Sequence, residues 1–87
     1  MIPTIIDGSA MRDREGAHAE LARALKLPEY YGANLDALWD LVSTMKCDAV
    51  LINAADLLNG LNVYGCKLIQ TLFEAAEENP DFKFRLA

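Results

Sequence analysis

The hydrophobic pattern of the chain predicts three short strands. Residues 2–7 form a short apolar run that Gly8 closes, and residues 49–53 form a continuous apolar run of strand length. Residues 82–86 alternate between apolar and polar positions with period two, which is typical of a strand with one buried face. The continuous central run favours a strand that is covered on both faces, as in a parallel sheet.

Two helices are predicted between the first and second strands. Residues 13–25 have apolar positions at helical spacing, and a loop begins at Pro28. Asn34 is a good N-cap for a second helix over residues 35–44. The expected buried positions of the first helix are Ala17, Leu21, Ala24 and Leu25.

Two more helices are predicted between the second and third strands. Residues 54–60 form a short helix, and Asn62 is placed to cap a longer one over residues 63–78, which Asn79 and Pro80 end. The expected buried positions of the long helix are Leu68, Leu72, Phe73 and Ala76. The element order β-α-α-β-α-α-β predicts an α/β fold, in which a three-stranded parallel sheet packs against about four helices, because parallel strands need crossover connections.

Length and composition limit the possible functions. The chain has 87 residues, of which 53% are hydrophobic, and this predicts one small folded domain over residues 1–87. The 8 Lys and Arg against 13 Asp and Glu give a net charge of −5, which argues against direct nucleic-acid binding and favours a basic partner. No apolar run reaches the roughly 20 residues of a membrane span, and no secretion signal is expected.

Cysteine and histidine content gives no indication of a metal site. Cys47 and Cys66 are expected to be reduced thiols in the cytoplasm, and their spacing from His18 does not match a zinc site. His18 itself is expected at the surface or at the edge of the core. No cofactor is expected.

The second helix has an unusual distribution of side chains. At about 100° per residue, a core-facing stripe opposes a face formed by Asp36, Asp40 and Ser43, with Trp39 beside them. The residues of the stripe are Leu35, Leu38, Leu41, Val42 and Met45. Paired carboxylates with nearby aromatic side chains are typical of a protein interface.

A structural interpretation of the same residues remains open. A charged helix face is usually only solvated, and Trp39 could fold back to cover the edge of the core. Tyr30 and Tyr31, in the preceding loop, could be packing residues, and at least one of them is expected to anchor that loop.

The segment LPEYYGANLDALWDLVST, residues 27–44, resembles the signature of the barstar family, intracellular inhibitors of barnase-type bacterial ribonucleases. Weaker similarity extends over the whole chain and implies the same parallel α/β fold. The resemblance implies that the second helix and its preceding loop enter the active site of a basic secreted ribonuclease in a 1:1 complex, with Asp40 as the central anchor and Asp36 supporting it. The implied contact residues around this pair are Tyr30, Tyr31, Gly32, Asn34, Leu35, Trp39, Ser43 and Met45.

The chain departs from the family pattern at two expected contacts. The best-known member of the family presents a glutamate from the long helix, and counting from Phe73 puts that position at Ala75, with Glu74 and Glu77 nearby. The same member presents an aromatic residue after the second helix, for which Met45 is the nearest candidate here. Its two cysteines do not coincide with Cys47 or Cys66, so these thiols have no implied role.

Two other functions are compatible with the same residues. The protein could be a barstar-like module that binds a different basic protein without inhibiting a ribonuclease. It could also be an enzyme that uses Asp36 and Asp40 as an acid–base or metal-binding pair, although two carboxylates alone are a weak signal for catalysis. The first expectation is an inhibitor, monomeric when free and without catalytic activity.

Overall fold

The computed structural model describes residues 2–87, and Met1 lies outside the described residues. The strands and helices follow the predicted order β-α-α-β-α-α-β. Their bounds are β1 Thr4–Asp7, α1 Arg14–Leu25, α2 Leu35–Val42, β2 Cys47–Ile52, α3 Ala54–Leu61, α4 Val63–Glu78 and β3 Phe82–Leu86. A short 3₁₀ turn over Gly8–Ala10, absent from the predicted elements, follows β1.

The three strands form a parallel sheet in the order β1-β2-β3. Ile6 pairs with Leu51, and Ala49 pairs with Phe84, so these side chains share one face of the sheet. All four helices bury apolar residues in the same core cluster as these side chains. The α/β fold expected from the sequence is therefore confirmed.

The other face of the sheet is only partly covered. Ile5, Val50 and Arg85 lie at paired positions there, and Ile5 and Arg85 are exposed. Val50 is buried but lies outside the main core cluster. The central strand is therefore buried on both faces at Ala49 and Val50, as its continuous apolar run predicts, whereas its neighbours are exposed on the second face.

Most of the predicted helix stripes are in the core. Ala17, Leu21 and Leu25 of α1 and Leu68 and Leu72 of α4 are buried. Phe73 is an exception: it is 39% exposed and packs edge-on against Phe84, with ring centroids 4.8 Å apart. Ala75 is buried instead.

The start of α4 also differs from the prediction. Asn62 has a φ of 54°, in the left-handed region, and its side chain makes no capping hydrogen bond to α4. It forms the junction between α3 and α4 instead, where its backbone N–H donates to Leu58 O at 2.8 Å. Among residues 2–87, no helix has both the length and the apolar character needed to cross a membrane.

Candidate partner-binding surface

The beginning of α2 is fixed by Asn34, as predicted. The Asn34 side-chain oxygen accepts a hydrogen bond from the Ala37 N–H at 2.8 Å, and its amide nitrogen donates to Gly32 O at 3.2 Å. One side chain therefore caps the helix and shapes the end of the preceding loop. We call residues 28–34 the tyrosine loop.

The end of α2 is fixed by a buried residue at the end of α4. Asn79 Nδ2 donates to Val42 O at 3.1 Å and to Met45 O at 2.7 Å. These bonds satisfy carbonyl groups that a helix terminus otherwise leaves without partners. Because both ends are fixed, α2 presents its side chains from a defined backbone.

Asp36 and Asp40 are exposed on one face of α2, at a spacing of one helical turn. Within residues 2–87, the side chain of neither aspartate forms a salt bridge or hydrogen bond. Ser43 ends the helix, and its hydroxyl donates to Asp40 O at 3.2 Å. The carboxylates are therefore available to a partner.

The aromatic residues near this face have different environments. Tyr30 is 82% exposed, whereas Trp39 is half-buried and packs against the core cluster. Both interpretations of Trp39, as a packing residue and as an interface residue, are therefore compatible with its position. It covers the edge of the core and still has exposed surface beside the acidic face. Leu35 and Met45 are also half-buried against the core, while Gly32 is exposed.

Tyr31 anchors the tyrosine loop to the rest of the molecule. Its hydroxyl lies 2.5 Å from Nδ1 of His18, on α1, and Nε2 of the same histidine lies 2.6 Å from the Tyr64 hydroxyl, on α4. His18 is only 3% exposed. The expectation that His18 lies at the surface or edge was wrong, although its spacing from Leu21 and Leu25 places it on the buried stripe of α1.

Burial determines the protonation of this cluster. Desolvation lowers the pKa of His18 below its ordinary value of 6.5, and the positive charge of Arg14 lowers it further. Burial also raises the pKa of Tyr31 and of Tyr64. At neutral pH the cluster therefore contains a neutral imidazole between two neutral phenols.

A groove of about 790 Å³ lies between α1, the tyrosine loop and the first turn of α4. Tyr31, Asn34, Leu35 and Asp36 line it together, so the structure brings these four predicted contact residues to one place. Its other lining residues are Arg14, Glu15, His18, Ala19, Ala22, Ala33, Tyr64 and Lys67. The remaining predicted contacts lie elsewhere in the tyrosine loop, along α2 or just after it.

The long helix lacks one contact that the resemblance implies. Ala75, the position reached by counting from Phe73, is fully buried, so it offers no side chain to a partner. Glu74 and Glu77 are exposed, and Glu74 Oε1 accepts a hydrogen bond from Gln70 at 3.0 Å. These two glutamates therefore remain the candidates to replace the contact that is lost at Ala75.

The parallel sheet and the acidic face of α2 describe a small α/β protein in which one helix presents a pair of carboxylates to solvent. The family model described as Barstar (barnase inhibitor) matches residues 1–87, and the chain belongs to this family. A relative from Bacillus subtilis (strain 168), named "Putative ribonuclease inhibitor YrdF", is 36% identical over 80 residues, which cover 88% of each protein. The resemblance noted in residues 27–44 is confirmed at the level of the family.

Proposed function

We propose that this protein inhibits a barnase-type ribonuclease by inserting α2 and the tyrosine loop into the active site of the enzyme. The observation that supports this most directly is the pair of exposed carboxylates, Asp36 and Asp40, whose side chains form no salt bridge or hydrogen bond within residues 2–87. Membership of the barstar family and the name of the Bacillus subtilis relative support the same function.

The physical basis of the inhibition is phosphate mimicry. A ribonuclease binds a polyanion, so its active site contains cationic side chains. A carboxylate from Asp40 can occupy a phosphate position and form charge-assisted, bidentate hydrogen bonds with an arginine. Because α2 is fixed at both ends, by Asn34 and by Asn79, little conformational entropy is lost when it binds.

The remaining candidate residues surround this anchor. Asp36 adds a second negative charge one turn earlier in α2. Tyr30 and the exposed part of Trp39 supply aromatic surface, and Gly32 lets the partner approach the loop. The other proposed contacts are Tyr31, Asn34, Leu35, Ser43 and Met45, with Glu74 or Glu77 in place of the position first assigned to Ala75.

The partner in this proposal is a basic, secreted ribonuclease bound in a 1:1 complex. The protein acts as a monomer in the cytoplasm and protects the producing cell from that enzyme. Its net charge of −5 attracts a basic partner and speeds their association. It is an inhibitor rather than an enzyme, since a catalytic carboxylate pair is normally enclosed, whereas both aspartates are exposed.

Titration of a purified barnase-type ribonuclease with the protein tests the proposal. RNA cleavage should fall linearly and end at one equivalent, and added salt should weaken the inhibition because it screens the charges. Replacing Asp40 by Ala should cost about 2–5 kcal/mol of binding, the range for truncating one partner of a buried, hydrogen-bonded charge pair. The thermal stability of the free protein should change little.

Asp56→Ala is the matched control, because it removes an exposed carboxylate from α3 and reduces the net negative charge by the same amount as Asp40→Ala. It should leave inhibition almost unchanged. Complex formation without any loss of RNA cleavage would favour a barstar-like module for another function. Metal-dependent turnover that requires Asp36 and Asp40 would contradict the proposal and favour an enzyme.

A further inference from the structure

The buried cluster of His18, Tyr31 and Tyr64 joins three separate parts of the fold. His18 belongs to α1, Tyr31 to the tyrosine loop and Tyr64 to the first turn of α4. His18 contacts one phenol through each ring nitrogen, at 2.5 and 2.6 Å. Of these three residues only Tyr31 is a proposed contact, so His18 and Tyr64 have no role in the function as proposed so far.

The hydrogen bonds of the cluster are fully satisfied when His18 is neutral. A neutral imidazole has one N–H donor and one nitrogen acceptor, and a phenol can donate or accept. One tyrosine therefore donates to the bare nitrogen, while the other accepts from the N–H. The cluster leaves neither ring nitrogen of a buried side chain without a partner.

Among residues 2–87, one long-range hydrogen bond, between Tyr31 and His18, joins the tyrosine loop to α1. Within the part of the chain that the structure describes, its other hydrogen bonds are local. Tyr31 N donates to Pro28 O at 3.0 Å, and Asn34 bonds to Gly32 and to the first turn of α2. The bond from Tyr31 to His18 is the one that spans thirteen residues.

We propose that His18, itself bonded to Tyr64, is a positioning residue for partner binding: it fixes the tyrosine loop through the Tyr31 hydroxyl without touching the partner. The effect of His18 on partner binding rests on the proposed function. The fixing of the tyrosine loop by His18 is a property of the free protein and is tested separately.

The charged groups around the cluster make the positioning sensitive to acid. Arg14 lies over the Tyr64 ring, 4.2 Å from its centroid, so a second cation at His18 would be close to an existing one. A protonated His18 would also donate from both nitrogens, so the tyrosine hydroxyl that donates to the bare nitrogen in the neutral cluster would have to turn and accept instead. The remaining charged groups that line the adjoining groove are Glu15 on α1, Asp36 on α2 and Lys67 on α4.

Three variants test the inference. His18→Leu removes both hydrogen bonds and should weaken partner binding about tenfold, the loss expected for a buried hydrogen bond. His18→Gln retains a donor and an acceptor but does not titrate, so it should largely rescue binding at pH 7.5. Tyr64→Phe removes one hydroxyl that is not among the proposed contacts and should weaken binding roughly three- to tenfold. Tyr64→Phe keeps the aromatic ring, so it remains informative if His18→Leu does not fold.

The control is Phe82→Leu, which lowers the stability of the core at β3, outside the loop and the cluster. It should leave partner binding unchanged. If Phe82→Leu weakens binding as much as Tyr64→Phe does at equal stability, the effect is general destabilisation, and the inference is overturned. Wild-type binding should also weaken as pH falls from 7.5 to 5.5 more steeply than binding by His18→Gln. Parallel pH profiles would contradict it.

The free protein provides the readout that is independent of any nuclease. Amide hydrogen exchange at Tyr31, and backbone order parameters over residues 30–34, should show a more mobile loop in His18→Leu and Tyr64→Phe but not in Phe82→Leu. If wild-type protein does not bind the nuclease but the loop responds in this way, the proposed function fails and the loop assignment stands. An unchanged loop in both variants overturns the positioning role, whatever the binding result.

Discussion

Individual residues of α2 have separate tasks, and substitution should separate them. Leu38 is fully buried in the core cluster, two residues before the exposed Asp40. Leu38→Ala should lower the free energy of unfolding by about 2–5 kcal/mol, because it leaves a cavity. Urea denaturation of this variant measures the loss, and Asp40→Ala, in the same helix, is the control with little expected change. A Leu38→Ala protein as stable as wild type would contradict the assignment of the core face.

The sequence predicts residue environments well where side-chain type and helical position agree. Leu38 and Val42 are buried, and Asp36 and Asp40 are exposed, as the wheel of α2 indicates. His18 was mispredicted because its residue type outweighed its position on the apolar stripe. Its burial depends on hydroxyl partners from a loop and from α4, which helical spacing alone does not reveal.

At the scale of elements, the turn after β1 depends on a close approach of two backbones. An added Cβ at Gly8 would overlap the backbone carbonyl oxygen of Asn53, which follows β2. Gly8→Ala should therefore displace the ends of β1 and β2 and cost about 1–3 kcal/mol of stability, as overpacking does. Thermal unfolding with calorimetry measures the cost.

Gly32→Ala is the control for this prediction. A Cβ at Gly32 would be 3.4 Å from its nearest neighbours, an ordinary contact, and Gly32 does not have a positive φ. Its stability should stay close to that of wild type. Equal losses for the two variants would show that the close approach at Gly8 is not the cause.

The N-termini of α2 and α4 show when a helix cap can be predicted from the sequence. Asn34 and Asn62 are both asparagines placed before apolar helices, but only the Asn34 side chain caps its helix. The difference arises from the connection: Asn34 ends a seven-residue loop and can adopt extended backbone, with φ −143° and ψ 169°, whereas Asn62 lies directly between α3 and α4. The tight junction overrides the capping preference, which is a tertiary effect.

At the scale of the whole molecule, the order of elements was sufficient to predict the parallel sheet. The exposure of the second face of the sheet at Ile5 and Arg85 was not predicted, because an apolar residue at Ile5 is also compatible with a covered face. The candidate surface was found through residues 27–44, while its support by His18, Tyr64 and Asn79 depends on contacts between distant segments. Such contacts leave no local pattern in the sequence.

The stability of the molecule should fall in two stages when it is acidified. The unfolded chain protonates His18 near pH 6.5, whereas burial keeps the folded pKa lower. The contribution of neutral His18 to the free energy of unfolding is therefore complete above about pH 6.5 and is lost as the pH falls towards the pKa of the folded state. Glu20, whose pKa is lowered by its hydrogen bonds to Arg23 and to the Asp7 N–H, adds a second loss below its ordinary value of 4.5.

Urea unfolding midpoints measured between pH 7.5 and pH 3.5 test both stages. His18→Gln should remove the first loss and retain the second, because glutamine does not titrate. Glu20→Gln should weaken the second, since it removes the carboxylate that pairs with Arg23 at 2.6 Å and accepts from the edge of β1 at 2.9 Å. If the wild type and His18→Gln lose stability equally between pH 7 and pH 5, His18 does not control the first stage, and the buried cluster tolerates a proton.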